Sequence, residues 1–193
     1  QLELYVLGLD ESDARFATRN RRLVTPALRW FREAAPATLD FQLEAALQTG
    51  RSRSDDRPTT RRDLTHFAQY ANLQLGYTLD TRWSPRGSVF FDYASGDRDP
   101  RDGDNERFDT LFGARRFDYG PTGIWGPFLR TNLSSPGARL NLAPGPRLTL
   151  MTAWRAIWLA SRRDEWVAAR VSDRSGRAGS FIGHQFEGSV SWA

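Results

Sequence analysis

The sequence predicts an all-β chain: an antiparallel up-and-down transmembrane β-barrel of about eight strands, with apolar side chains toward lipid. Three observations predict it. Short segments alternate apolar and polar residues with a period of two, which is the side-chain period of a strand. The connections between them alternate long and short in chain order, as the outer loops and inner turns of such barrels do. Aromatic residues gather near the segment ends, where a barrel meets the two membrane interfaces.

Bulk composition fits. The chain has 193 residues and 39% hydrophobic content, enough for one domain. Its longest apolar runs, such as Ala156 to Ala160, fall far short of the roughly 20 residues that a helical span requires. With no cysteine there is no disulfide framework and no thiol chemistry. The chain opens at Gln1 without a charged and apolar leader, as a mature or trimmed product would. All 27 basic residues are arginine and face 23 acids for a net charge of +4. The charges are interspersed along the chain, which argues against a nucleic-acid partner.

The segments follow in order. Gln1 to Leu9 sets Leu2, Leu4 and Val6 against Glu3 and Tyr5. Arg21 to Arg32 sets Val24, Pro26, Leu28 and Trp30 against Thr25, Ala27 and Arg29, with Pro26 suggesting an edge or a bulge. Leu39 to Gln48 is ambiguous, because Leu39, Leu43 and Leu47 also fit a helix. Its alternating neighbours favour a strand. His66 to Leu79 places Phe67, Ala71, Leu73, Leu75 and Tyr77 opposite Tyr70, Asn72, Gln74 and Thr78. Ser88 to Ala94 places Val89, Phe91 and Tyr93 opposite Ser88, Phe90 and Asp92. Pro136 to Leu142 sets Ala138, Leu140 and Leu142 against Arg139 and Asn141, and Arg147 to Ala160 sets Leu148, Leu150, Trp154 and Trp158 against Thr149, Met151 and Arg155. Phe181 to Trp192 closes the series, with Ile182, His184, Phe186, Gly188, Val190 and Trp192 on one side and Gln185, Glu187, Ser189 and Ser191 on the other.

The connections Asp10 to Asn20, Gly50 to Asp63, Ser95 to Ser135 and Ser161 to Ser180 are long, and Glu33 to Ala37, Asp80 to Arg86 and Ala143 to Pro146 are short. This order starts and finishes the chain on the short-turn side. Trp30, Phe41, Tyr77, Trp83 and Trp192 mark the short-turn girdle, and Phe67, Tyr93, Trp158, Trp166 and Phe181 the long-loop girdle. A soluble sandwich or lipocalin-like barrel would instead turn its apolar side chains inward, and its loops need not alternate in length.

With the apolar parity toward lipid, the inward set includes Glu3, Arg29, Asp40, Glu44, Asn72, Asp92, Arg139, Arg155 and Glu187. Arg29, Arg139, Arg155, Asn72, Asp92 and Glu187 are the candidate pore-lining residues. Guanidinium is always charged and binds carboxylates with paired donors, so the arginines could form a selectivity ladder. They could equally neutralise the neighbouring acids. Asp97 to Glu106 is dense in carboxylates, but its spacing departs from an EF-hand, so calcium there competes with a solvated loop. His66 and His184 have no serine or cysteine beside them in sequence, and no cofactor is implied. A lipid-modifying enzyme would need such a site, with outward His184 as its one handle.

From Phe91 onward the chain resembles the C-terminal part of the bacterial alginate-export family of outer-membrane proteins. The residues that carry this are Phe91 to Asp97 (FDYASGD), Phe108 to Phe112 (FDTLF), Thr131 to Leu133 (TNL), Leu148 to Ala160 (LTLMTAWRAIWLA) and the Gly183 to Trp192 strand. The resemblance implies a large monomeric barrel in the bacterial outer membrane, of which this chain is a part. It lacks the earlier staves and the last hairpin, which in the family continues beyond the position of Ala193. The family passes an anionic polysaccharide through an arginine-lined pore, with the lipid bilayer and lipopolysaccharide around it. Eight staves alone would enclose a lumen filled by side chains. A structural or adhesive barrel acting through its long loops is the alternative reading.

Overall fold

A computed structural model of the chain describes residues 1–12, 18–56, 62–111 and 128–193. Parts of three of the four long predicted connections, those after Asp10, Gly50 and Ser95 and including Phe112, lie outside the described residues. All eight segments are strands: β1 (Leu2–Asp10), β2 (Arg22–Arg32), β3 (Leu39–Arg53), β4 (Asp63–Thr78), β5 (Arg86–Ala94), β7 (Leu133–Gly145), β8 (Leu148–Trp158) and β11 (Phe181–Trp192). Three two-residue strands lie in the long connections: β6 (Asp104–Asn105), β9 (Glu165–Trp166) and β10 (Val171–Ser172). The described residues contain no helix.

The eight long strands form one antiparallel meander in the order β1-β2-β3-β4-β5-β7-β8-β11. Each pairs with its neighbour in sequence, apart from the short strands. The edge strands β1 and β11 are not paired with each other, so the wall is open. β3 is a strand throughout, because its even positions lie against other inward residues of β2 and β4, and a helix would scatter them.

The parity is inverted relative to a soluble sheet. Leu4, Phe186 and Trp192 leave 75%, 78% and 75% of their surface exposed, while Asp40, Asp92 and Arg155 keep 3%, 5% and 5%. In water this would be a large exposed apolar surface on one face and a buried charged face on the other. In a bilayer it is the expected arrangement. The outward run Leu39 to Leu47 on β3 spans nine residues, the length a tilted transmembrane strand needs.

Several boundaries and placements differ from expectation. β3 continues through Arg51, Ser52 and Arg53, which pair with Thr65, Leu64 and Asp63, so the predicted charged loop is partly strand. Backbone pairing needs no apolar side chain once the strands rise above lipid. Pro26 lies in an interior strand opposite Val6, and not at an edge or bulge. The β2–β3 ladder simply skips Thr25 and Pro26 and resumes at Ala27 in the same register. Ile182 turns inward against the core, because a bulge between Phe181 and Gly183 shifts the phase of β11 at its start. Trp166 is not on the wall; it stacks on Phe128 in the loop layer at 5.5 Å.

The small core lies on the concave side of the wall. Ala27, Ala46, Ala68, Tyr70, Ala94, Leu133 and Ile157 line it from the strands, and Phe108 enters it from the long connection after β5. Phe108 stacks on Tyr70 with ring centroids 5.4 Å apart. The outer half of the inner face is therefore an apolar bed for a loop, and the rest of it carries the polar residues.

Candidate functional site: a polar inner wall beneath an infolded loop

The inward polar residues join into one chain of contacts across the sheet. Arg29 on β2 donates to Glu3 of β1 at 3.4 Å and to Gln42 of β3 at 3.0 Å. Gln42 donates to Asn72 of β4 at 3.2 Å, and Asn72 donates to Asp92 of β5 at 2.7 Å. Arg155 of β8 reaches past β7 to Asp92 at 3.3 Å. It can do so because β7 presents Gly137 directly opposite it. The ring of Phe90 covers that glycine, where an added Cβ would lie 2.4 Å from the ring. The Arg155 and Arg139 guanidiniums lie 4.7 and 5.4 Å from the Phe90 centroid, within cation–π range.

The candidate pore-lining residues thus divide into two groups. Arg29, Asn72, Asp92 and Arg155 belong to the connected belt, and its arginines are each paired with an acid. Arg139 stands apart. Among the described residues it has no carboxylate within ion-pair distance, and its Nε finds no hydrogen-bond partner. It lines a cavity of about 580 Å³ near the short-turn end, together with Ser84, Asn141, Glu187 and Ser189. Glu187 accepts a hydrogen bond from Gln185 at 2.6 Å.

A second buried pair escaped the sequence reading. Arg86 at the start of β5 donates to both Asp40 oxygens, at 2.5 and 3.0 Å. Gly76 lies beneath it, where a Cβ would meet the Arg86 guanidinium at 2.5 Å and the carboxylate at 2.7 Å. The signal was present: Arg86, Ser88, Phe90 and Asp92 share one parity, which extends the strand back into the predicted turn.

After β5 the chain folds back over the concave face. β6 adds beside β4 in parallel at Thr65 and His66. Ser95 accepts the backbone N–H of Phe108 at 3.0 Å and donates its hydroxyl to the Glu106 carbonyl at 2.6 Å. The fully buried side chain of Gln48 then pins the loop to the wall. Its amide nitrogen donates to Thr25 at 3.0 Å and to the Asp109 carbonyl at 3.1 Å, and its oxygen accepts from the Asp109 N–H at 2.9 Å. His66 Nε2 lies 2.9 Å from that same oxygen.

Charge holds the loop as well. Arg21 bridges Glu11 at 2.5 Å and Asp109 at 2.7 Å. The Arg21 hydrogen bond keeps the Glu11 carboxyl below the usual range, and the two acids hold the Arg21 guanidinium more firmly charged. Arg107 pairs with buried Asp164 and lies 3.5 Å from Glu165. Burial pushes the Asp97 carboxyl up to about 6, and the neighbouring Asp164 and Asp102 charges add to this.

In the loop proposed for calcium, the carboxylates turn onto their own backbone. Asp97, Asp99 and Asp102 accept the N–H two residues on, at 3.2, 3.3 and 2.8 Å. Among the described residues no three His, Cys, Asp or Glu side chains converge as a metal site would require. His184 faces outward and packs on Trp154 and Phe181, with ring centroids 5.7 and 5.3 Å away.

A meander of antiparallel staves with a charged concave face and an apolar convex face defines a transmembrane β-barrel wall of outer-membrane type. The family model described as alginate export matches residues 1–193, and the chain belongs to that family. The resemblance carried by the residues after Phe91 therefore extends over the first four staves too. The family is one of outer-membrane β-barrel channels that export polysaccharide, and not of enzymes. No curated protein matches the chain.

Proposed function

We propose that the chain forms part of the wall of a bacterial outer-membrane pore that passes anionic polysaccharide of the uronate class passively through its lumen. The unpaired Arg139 guanidinium on the concave face carries this reading. Arg29 and Arg155 are balanced by acids in the belt and stiffen the wall, whereas Arg139 can donate to a passing carboxylate without first giving up a partner. The polar belt lets water and hydroxyl-rich solute pass, and the infolded loop narrows the outer end. Further staves pair with the open edges of β1 and β11, since unpaired backbone groups in hydrocarbon cost several kcal/mol each. The outer-leaflet lipid, lipopolysaccharide included, surrounds the convex face.

The packing of Ser95 to Asp97 and of Phe108 onto the inner wall favours the channel over the adhesive reading, because it ties the first part of the longest connection to the lumen side. The test is single-channel conductance of the complete barrel in a planar bilayer with and without oligouronate. A steady conductance that the polyanion blocks, with block weakened more by Arg139→Gln than by Arg29→Gln, is the expected result. Conductance indifferent to oligouronate, or equal effects of the two substitutions, would overturn the proposal.

A further inference from the structure

The convex face carries one feature that a passive wall does not need. At the long-loop end, the outward positions are aromatic on β4, β5, β8 and β11: Phe67, Tyr93, Trp158 and Phe181. On β2 and β3 they are arginines. Arg22 and Arg51 lie directly opposite each other in the ladder, and both are exposed. Like charges directly opposite on one face destabilise a sheet unless something neutralises them. Asp10 lies 3.5 Å from Arg22, but both groups are more than three quarters exposed, so solvent screens that pair. Arg51 is left facing the outer interface, one rung above Thr49 and Val24, where the apolar band begins.

Below the arginines, on the same strands, lies a groove of about 490 Å³ in the apolar surface. It lies where the β2–β3 ladder skips Thr25 and Pro26. Ala45 and Ala71, paired across β3 and β4, supply its short side chains, and Leu28, Leu47 and Tyr93 stand beside them. From Arg51 to Leu47 is four residues, about 13 Å of strand. That separates a charged headgroup from the upper part of an acyl chain.

We propose that this face is a binding site for a phosphate-bearing glycolipid of the outer leaflet. The phosphate is held by Arg22 and Arg51, and one acyl chain lies in the Ala45–Ala71 groove. Charge complementarity selects the headgroup, since guanidinium pairs bind phosphate bidentately. The groove leaves room for the chain, because alanines line it between the larger Leu28, Leu47 and Tyr93. The site rests on the outer-membrane placement of the strands and is independent of what passes through the lumen.

The experiment uses the complete barrel in detergent micelles, titrated with diphosphoryl lipid A, its dephosphorylated form and phosphatidylglycerol, with bound lipid counted by native mass spectrometry. The Arg22→Gln/Arg51→Gln variant should bind diphosphoryl lipid A about tenfold more weakly or worse and the dephosphorylated form as before. Ala71→Trp, which fills the groove and leaves both arginines in place, should weaken both forms of lipid A. Unchanged binding in either variant would overturn the site, and displacement by phosphatidylglycerol at equal concentration would overturn its assignment to a glycolipid. Conductance of the double arginine variant should equal that of the unsubstituted barrel, so the lipid site and the pore reading fail separately.

Discussion

Replacing Gln48 by leucine tests whether the loop after β5 is fastened to the inner wall. The side chain is completely buried and makes four polar contacts, two of them with the Asp109 backbone and one each with Thr25 and His66. Leucine keeps the approximate volume and removes every contact. A hydrogen bond contributes about 1 kcal/mol net, so the two that bind Asp109 hold the loop by about 2 kcal/mol. Losing them should raise the open fraction of the loop about 30-fold. The Arg21–Asp109 pair and the Phe108–Tyr70 stack remain, so the loop should stay docked in its ground state. Hydrogen exchange at the Asp109 amide reads the opening directly and should accelerate by that factor, while amides in the middle of β4 keep their rate. An unchanged Asp109 rate in a correctly folded variant would refute the view that Gln48 fastens the loop.

Other consequences follow from the same contacts. Gly76→Ala places a methyl group against both ends of the Asp40–Arg86 pair and should destabilise the barrel by about 1–3 kcal/mol, read as a lower urea midpoint in micelles. Asp97 has its carboxyl raised from 3.8 to about 6 in the folded loop, chiefly by burial. Its protonated form is the one the fold favours, so its contribution is complete below about pH 4 and is lost as the pH rises through about 6. Asp97→Asn should therefore stabilise the loop layer at pH 7 by about 1–2 kcal/mol and flatten its dependence between pH 4 and 7, as hydrogen exchange across Ser95 to Asp109 would report. A variant that keeps the original pH dependence would move the titration to another group.

The staves were legible because a strand exposes its faces in strict alternation, and each face here has one solvent. Asn72 and Leu73 are neighbours in sequence and lie on opposite sides of the wall. The same rule placed Arg29, Asp92 and Arg155 inward, but it could not pair them. That Arg155 meets Asp92 depends on Gly137 leaving room on β7, which is a register fact. Ile182 was misplaced because one bulge residue reverses the phase, and nothing in FIGHQ marks it apart from the glycine. The infolded loop was illegible for another reason. Gln48 meets Asp109 from 61 residues away, side chain to backbone, and such a contact leaves no periodic trace. Its one sequence hint is a large polar residue at an inward position beyond the apolar run of β3.

The central claim is that the polar face of this sheet lines water and the apolar face meets lipid. The chain has no cysteine, so single thiols can be placed at will. Asn72→Cys and Leu73→Cys sit on adjacent residues at mid-height of β4, and their labelling in reconstituted membranes by a charged, membrane-impermeant thiol reagent and by a lipid-soluble one compares the two faces at one depth. The thiol at position 72 should react with the charged reagent and be shielded from the lipid-soluble one, and the thiol at position 73 should do the reverse. Equal reactivity at both positions, or the opposite pattern, would contradict the barrel wall on which the proposed pore and the proposed lipid site both depend.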